Sequence, residues 1–314
     1  MEVQGQLVYT CTLREDTLAF ARKELNEDPD TRLLELKAFR DRLLQYPGLR
    51  PRTDPEFLIR FLRARKWDQE RAFQLVLNYY RLRKENEALF TGLKPSNLPH
   101  VWNSGIGFPH KYRDRQGRKV YFMFLGRLDL NRYTMDEFFQ AEYLSISKMI
   151  QDEEDQVRGF TLIGDYTGYT MSHFIKTQSD MEASKRFIRM WQDAFPARHK
   201  ATLVINEPVF MDVLMALLSP FLKEKFSRRT YRIGTDWKKL HEYIAPENLP
   251  LEYGGTLTEF PGHEDWMDTL MKSDDEMQDE SKYGFVDYTI GHETKKKEQD
   301  AITNMAGTFK KLEV

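Results

Sequence analysis

The second half of the chain alternates between short strand-like apolar runs and longer stretches with helical periodicity. The strand-like runs are GFTLIGD at 159–165, ATLVINE at 201–207 and TYRIG at 230–234, and helical patterns lie between them. Strands that are apolar on both faces need helices on both sides, which is the arrangement of a parallel sheet. The alternation therefore predicts an α/β domain with a mixed, largely parallel sheet and flanking helices.

Two flanking patterns indicate the limits of that domain. Upstream, residues 108–129 alternate around a polar turn, which predicts two further strands. Downstream, the motif LPLEYGG closes the pattern, so we predict a domain over 97–256 and a C-terminal helical and charged tail over 257–314. The charged runs SDDEMQDES and TKKKEQD indicate weak order after about residue 272.

Residues 14–92 are predicted to form an all-α N-terminal domain of about four helices. Asp54 and Pro55 suit the start of the third helix, because aspartate accepts hydrogen bonds from free backbone N–H groups and proline lacks an N–H. The first two helices are predicted from apolar residues at helical spacing: Leu18, Ala21, Leu25, Leu33, Leu36, Phe39 and Leu43.

Composition excludes several classes of protein. The net charge is only −2, so long-range attraction to nucleic acid is not expected, and any basic binding surface must be a local patch. No apolar run reaches the roughly 20 residues that span a bilayer. The single cysteine, Cys11, cannot form an internal disulfide, and there is no N-terminal secretory signal. These features predict a cytoplasmic protein.

The motifs of common enzymes are absent from the sequence. There is no P-loop, no G-x-G-x-x-G, no G-x-S-x-G and no H-E-x-x-H. Asp165, Ser172 and His173 lie close in sequence, but a catalytic triad is defined by geometry rather than by proximity along the chain. We predict that the protein is not an enzyme and has neither a cofactor nor a metal site.

The stretch NEPVFMDVLMALLSPFLKEKFSRR at 206–229 joins an apolar helix to a basic segment. The apolar residues cover more than one helical face, so the helix is either fully buried or covers something apolar that is not protein. The basic residues that follow form either a solvated face or a surface for anionic membranes. They are Lys223, Lys225, Arg228, Arg229 and Arg232.

Three stretches resemble the CRAL-TRIO lipid-transfer family, in the branch that holds the α-tocopherol transfer protein, the clavesins and the cellular retinaldehyde-binding protein. They are FLIRFLRARKWDQERAFQLVLNYY, DAFPARHKATLVINEPVFMDVLMALLSPFLKEKFSRR and LPLEYGG, and the resemblance covers about residues 14–256. It implies a helical N-terminal domain and a CRAL-TRIO domain that encloses one hydrophobic ligand under a mobile lid helix. The lid would be the stretch at 206–229.

The resemblance also implies two sets of binding residues. Carried over by position, the phosphoinositide-binding residues are Arg60, Arg198, Lys200, Lys225 and Arg229, all of them basic here. Arginines suit phosphates because the guanidinium can bind two oxygens. The residues expected to line the cavity are Phe139, Glu142, Ile146, Phe160, Gly164, Met190, Trp191, Phe195 and Thr202, with Phe210, Val213, Leu214 and Leu217 from the lid.

Three positions depart from the tocopherol-binding pattern. Glu142 and Ile146 stand where the tocopherol protein has two serines facing the pocket, and Gly164 replaces a bulky aromatic residue. A carboxylate among apolar neighbours is costly unless it is paired or protonated. Glu142 is therefore expected either to bind a ligand hydroxyl or to form a structural ion pair. The ligand class stays open between tocopherol, a retinoid, a carotenoid and another isoprenoid lipid.

The leading hypothesis is an intracellular carrier that exchanges a hydrophobic ligand at phosphoinositide-containing membranes. It would be cytoplasmic and peripheral on endosomal or plasma membranes, and it would not bind nucleic acid. The alternative is a phosphoinositide-binding trafficking adaptor of the clavesin kind, in which the basic face matters more than the cavity.

Overall fold

A computed structural model describes residues 7–288, which begin with a group of helices. Asp54 accepts a hydrogen bond from the Phe57 N–H (3.0 Å) with Pro55 in the first helical turn, as predicted. Most of the predicted apolar residues are buried, but Leu33 is exposed. The helices are α1 (Glu15–Leu25), α2 (Arg32–Leu44), α3 (Pro55–Ala64), α4 (Gln69–Glu85), α5 (Glu87–Phe90) and α6 (Pro99–Trp102).

A five-stranded sheet follows, in the spatial order β2-β3-β4-β5-β6. The first pair is antiparallel and the other three pairs are parallel, which confirms the predicted mixed, largely parallel sheet. A second, two-stranded sheet pairs β1 with β7. The strands are β1 (Leu49–Arg50), β2 (Gly107–Arg113), β3 (Lys119–Phe124), β4 (Phe160–Asp165), β5 (His199–Ile205), β6 (Thr230–Gly234) and β7 (Gly284–Phe285).

Helices cover both faces of the five-stranded sheet. On one face Phe122 and Ile163 pack with Leu240, and on the other Tyr121 and Met123 join the core of the helical region. The helices of this part are α7 (Met135–Met149), α8 (Glu153–Arg158), α9 (Met171–Ser179), α10 (Met181–Arg189), α11 (Met211–Leu218), α12 (Glu224–Ser227), α13 (Trp237–Tyr243), α14 (His263–Met271) and α15 (Asp274–Asp279). Within residues 7–288, no helix combines the length and apolarity that crossing a bilayer requires.

The segment after Gly255 is more ordered than predicted. The prediction of weak order after about residue 272 is wrong for residues 274–285, which form α15, a 3₁₀ turn and β7. Asp274, Glu276 and Glu280 of this segment pair with basic residues elsewhere in the fold, namely Lys94, Lys148 and Arg52. The charge that suggested disorder therefore forms ion pairs. Residues 289–314 lie outside the described part, and the predicted domain limits stay predictions.

Glu280 holds this C-terminal segment to the N-terminal helices. Its carboxylate pairs with Arg52 and accepts a hydrogen bond from the Tyr79 hydroxyl (3.2 Å), and its carbonyl accepts one from Arg83 (3.0 Å). Both partners of the ion pair are mostly buried, with 22% of the Arg52 side chain and 12% of the Glu280 side chain exposed. Removing Glu280 would therefore leave the mostly buried Arg52 with Asp54 as its remaining acidic partner.

We expect Glu280→Gln to lower the free energy of unfolding by about 1–3 kcal/mol, because Arg52 loses one of its two acidic partners and keeps only Asp54. Urea unfolding would measure the change. Asp279→Asn is the matched control: Asp279 pairs with Lys282 on the surface, and its loss should change the free energy by less than about 0.5 kcal/mol. Equal effects of the two substitutions would contradict a clamping role for Glu280.

Candidate ligand cavity and cationic pocket

An apolar cavity of about 180 Å³ lies between one face of the sheet and the segment that crosses it. Phe160 and Leu162 of β4 and Thr202 and Val204 of β5 form its floor, because alternate strand residues share a face. The rest of the lining is Met123, Tyr166, Phe187, Ile188, Trp191, Gln192, His199, Met215, Leu222, Phe226 and Thr230.

Three of the predicted cavity residues line this space: Phe160, Trp191 and Thr202. Gly164 lies on the same strand face but does not line the space, and a Cβ there would make an ordinary van der Waals contact with the Tyr166 ring at 3.5 Å. The prediction fails for three residues that are packed in the core because their helices turn them away from the space: Phe139, Ile146 and Met190. Phe195 is also buried and borders a different pocket, described below.

The four predicted lid residues do not face the cavity. Val213 and Leu217 of α11 are exposed to solvent, while Leu214 is buried against Tyr169 and Phe210 packs on Phe174. The cavity is instead covered by three residues, Met215, Leu222 and Phe226. The prediction was wrong because the apolar residues of this helix point in several directions, and their spacing did not indicate which of them faces inward.

Glu142 is fully buried between α7 and the sheet, outside the cavity lining. Its carboxyl lies against Gly107, where a Cβ would collide with it, and beside the Tyr121 hydroxyl, which donates to Ser145 Oγ (3.0 Å). Within residues 7–288 no basic side chain pairs with it, so the predicted ion pair is not formed. Burial raises the pKa of Glu142 to about 8, and the smaller effect of Tyr121 opposes the rise. The carboxyl is therefore mostly protonated at neutral pH.

A cationic pocket of about 280 Å³ lies at the edge of the cavity. Four of the predicted phosphoinositide-binding residues line it together, namely Arg198, Lys200, Lys225 and Arg229. The structure adds Lys223 of the predicted basic segment and three cations that were not predicted, Arg65, Lys66 and Arg71. The basic run RARK at 63–66, which spans the end of α3, was the available signal for the first two. The other lining residues are Ala64, Trp191, Gln192, Phe195, Ala197, His199 and Phe226.

The cations of this pocket destabilise one another's charged forms. Burial, followed by the charges of Arg198, Arg118, Arg229 and Lys66, lowers the pKa of Lys200 to about 7. Burial and the Arg229 charge lower the pKa of Arg198 to about 10, with Glu24 opposing. Such shifts mark a site where positive charge is not balanced by the protein, and a bound anion would reverse them.

Arg60 does not join the other four predicted cations. It is buried over the Phe57 ring and lies near Glu280, in a small space between the helical region and the C-terminal segment. Residue 60 lies on the inward face of α3, whereas Arg65 follows the end of that helix and reaches the cationic pocket. The predicted phosphoinositide-binding role of Arg60 therefore has no support from its position.

The geometry also decides whether Asp165, Ser172 and His173 form a catalytic triad. The Asp165 carboxylate accepts hydrogen bonds from Thr167, Asn206 (3.0 Å) and Tyr253 (2.6 Å). The His173 ring binds instead to Thr170 at the start of α9. Asp165 thus orders the ends of the strands, and these three residues do not form a charge relay.

The sequence matches two family models. The CRAL/TRIO domain matches residues 103–255, and the CRAL/TRIO N-terminal domain matches residues 25–78. The alpha-tocopherol transfer protein-like protein of Homo sapiens is 39% identical over 272 residues, which cover 85% of this chain and 78% of that protein. Clavesin-2 of Homo sapiens is 36% identical over 281 residues, covering 88% and 84%. Clavesin-1 of Xenopus laevis is 34% identical over 285 residues, covering 89% and 84%.

The raised pKa of Glu142 predicts a specific dependence of stability on pH. Its contribution is present below about pH 4.5 and is lost as the pH rises through about 8, because the unfolded chain ionises first. Relative to wild type, Glu142→Gln should therefore gain up to a few kcal/mol of unfolding free energy between about pH 5 and about pH 8.5. Urea unfolding at both values measures the gain. Parallel pH profiles of the two proteins would refute the assignment.

The lowered pKa of Lys200 predicts pH-dependent anion binding. Binding of myo-inositol hexasulfate, whose own charge is constant, should weaken several-fold per pH unit above about pH 7 as Lys200 loses its proton. Calorimetric titration at several pH values measures this. Lys225, whose pKa is also lowered, acts in the same direction, so Lys200→Arg is the control that isolates Lys200. An unchanged pH profile in Lys200→Arg would exclude Lys200 as the titrating group.

Proposed function

We propose, since the chain belongs to the CRAL/TRIO family, that it binds one hydrophobic lipid in the apolar cavity and exchanges it at membranes containing phosphoinositides. The observation that carries the proposal is the apolar cavity under a short, partly exposed cover, directly beside a pocket of converging cations. An apolar floor with few polar groups suits a lipid tail or ring system. No step of this function requires catalysis.

The cargo proposed is an isoprenoid-type lipid such as a tocopherol, a retinoid or a carotenoid. Support comes from the name of the alpha-tocopherol transfer protein-like relative and from the aromatic lining by Phe160, Phe187 and Trp191. Lipid extraction of the purified protein followed by mass spectrometry tests this. One isoprenoid-type lipid per protein supports the carrier.

Membrane attachment is proposed to use two neighbouring surfaces. The cationic pocket would bind phosphoinositide phosphates, for which converging cations are suited. Next to it, an apolar row that is exposed to water would enter the lipid: Val209, Val213, Leu217 and Phe221. On this basis we propose a protein of the cytoplasm that is peripheral on endosomal or plasma membranes.

A trafficking adaptor is the second candidate. It is favoured by the similarity to two clavesins and by the larger volume of the cationic pocket, about 280 Å³ against about 180 Å³ for the cavity. In an adaptor, phosphoinositide binding would serve recruitment, and the cavity would remain empty or contain phospholipid. The same extraction experiment separates the two candidates.

We expect the double substitution Lys225→Ala and Arg229→Ala to slow lipid transfer to phosphoinositide-containing vesicles roughly thirtyfold. Each cation near an anionic surface contributes about 1 kcal/mol, and neither residue lines the apolar cavity. Transfer of a fluorescent tocopherol from the loaded protein, with and without phosphoinositide in the acceptor vesicles, measures the effect. Equilibrium binding of the tocopherol should stay unchanged.

The control removes the same charge from outside the pocket. Arg228 pairs with Glu224 and Lys239 pairs with Asp236 on the surface, so Arg228→Ala with Lys239→Ala should leave transfer within about twofold of wild type. Equal slowing in both variants would point to overall charge and count against a specific phosphoinositide site. Equal slowing with both vesicle types would do the same.

A further inference from the structure

The apolar cavity and the cationic pocket share one wall. Four residues line both spaces: Trp191, Gln192, His199 and Phe226. The two spaces thus lie end to end, one apolar and the other positively charged. A single molecule with an apolar body and an anionic head would match both.

His199 is the polar group in this wall that lacks a partner. It is 8% exposed, its ring stacks on Phe226 at 4.8 Å and tilts against Phe160 at 5.5 Å, so its orientation is fixed. Nε2 bonds to Thr202 Oγ1 (2.7 Å), whereas Nδ1 has no hydrogen-bond partner among residues 7–288. An unpaired polar atom at such a buried position is costly, and a ligand group would remove the cost.

An irregularity in β5 creates this arrangement. The pairing with β4 shifts between Phe160, which faces His199, and Thr161, which faces Ala201, so Lys200 is an extra residue. Such a bulge lets His199 and Thr202 share the cavity face although they are three residues apart. Lys200, between them, lines the cationic pocket. The bulge at the start of β5 therefore places the His199 ring in the shared wall and Lys200 in the cationic pocket beside it.

We propose that the cargo is an acidic lipid, with its apolar part in the cavity and its anionic head bound by His199 Nδ1–H at the entrance to the cationic pocket. This inference rests on the proposed carrier function and narrows its cargo to an isoprenoid-type lipid that carries an acidic group. When the Thr202 hydroxyl donates to Nε2, the neutral ring carries its proton on Nδ1, which then donates to the head group. Burial, reinforced by the Arg229 and Lys225 charges and opposed by the Ala201 backbone, lowers the pKa of His199 to about 4 and keeps the ring neutral.

Binding of cis-parinaric acid, a fluorescent long-chain carboxylate, and of its methyl ester tests the proposal. We expect the acid to bind wild type about tenfold more tightly than the ester, because a hydrogen bond to a charged head is added. His199→Phe, which keeps the ring stacking, should lower acid affinity about tenfold and ester affinity by less, so that most of the preference for the acid is lost. His199→Asn places an amide nitrogen near the position of Nδ1 and should retain most of the preference.

A competition experiment tests the shared wall. Myo-inositol hexasulfate occupies only the cationic pocket, so it should weaken binding of the acid and leave binding of the ester unaffected. If the cationic pocket served only a free anion and not the lipid head, the hexasulfate would bind without weakening binding of the acid.

The outcomes distinguish this inference from the proposed function. Equal binding of acid and ester would overturn the inference and leave the carrier proposal standing. Full acid affinity in His199→Phe, or the absence of competition by the hexasulfate, would also overturn it. Failure of both probes to bind would reject the lipid cavity itself and with it both proposals.

Discussion

Two-sided burial of the parallel strands β4 and β5 is the constraint on which the rest of the structure depends. Parallel neighbours need a connection that crosses over the sheet, so the chain between β5 and β6 must lie on one face of it. Here that connection contains α11 and α12, and it covers the sheet beside α7 and α10. On the opposite face Ile163 and Leu203 are fully buried, while on this face Leu162 and Thr202 border a space. The cavity is therefore a consequence of the connection that covers it.

The same topology gathers the cations. The start of β5 carries Arg198 and Lys200, the end of the crossover carries Lys225 and Arg229, and Arg65 follows α3 at the same edge. Their lowered pKa values show that charging them together costs stability. Nearby acids compensate only in part: Asp193 pairs with Lys223, and Glu24 lies 3.9 Å from Lys66. Because clustering these cations at one edge of the sheet lowers stability, a function explains the cluster better than a structural role does.

Periodicity and end signals were enough to predict the helices, the strands and their largely parallel order. They could not show which side of a helix faces inward when the helix is apolar on several sides. Val213 and Leu217 were therefore assigned to the cavity although they are exposed to solvent. Of the five cations expected from the resemblance, four lie together near β5, whereas Arg60 lies apart because its side of α3 depends on tertiary packing. His199 was missed because a bulge, which leaves no sequence signal, turns it towards the cavity.

Polar contacts fasten the cover of the cavity at its two ends, in addition to the burial of Met211 and Leu214. At one end Gln192 donates to the Phe221 carbonyl (2.8 Å) and accepts from the Lys223 N–H (2.6 Å). At the other, Arg232 of β6 pairs with Asp212 in the first turn of α11 and with Glu207. Exposed contacts of this kind contribute about 1 kcal/mol or less each, far less than the burial that holds the sheet together. Gln192 also borders both pockets. A ligand head in the shared wall would therefore touch the side chain that fastens the cover, so that ligand binding and opening of the cover would involve the same residue.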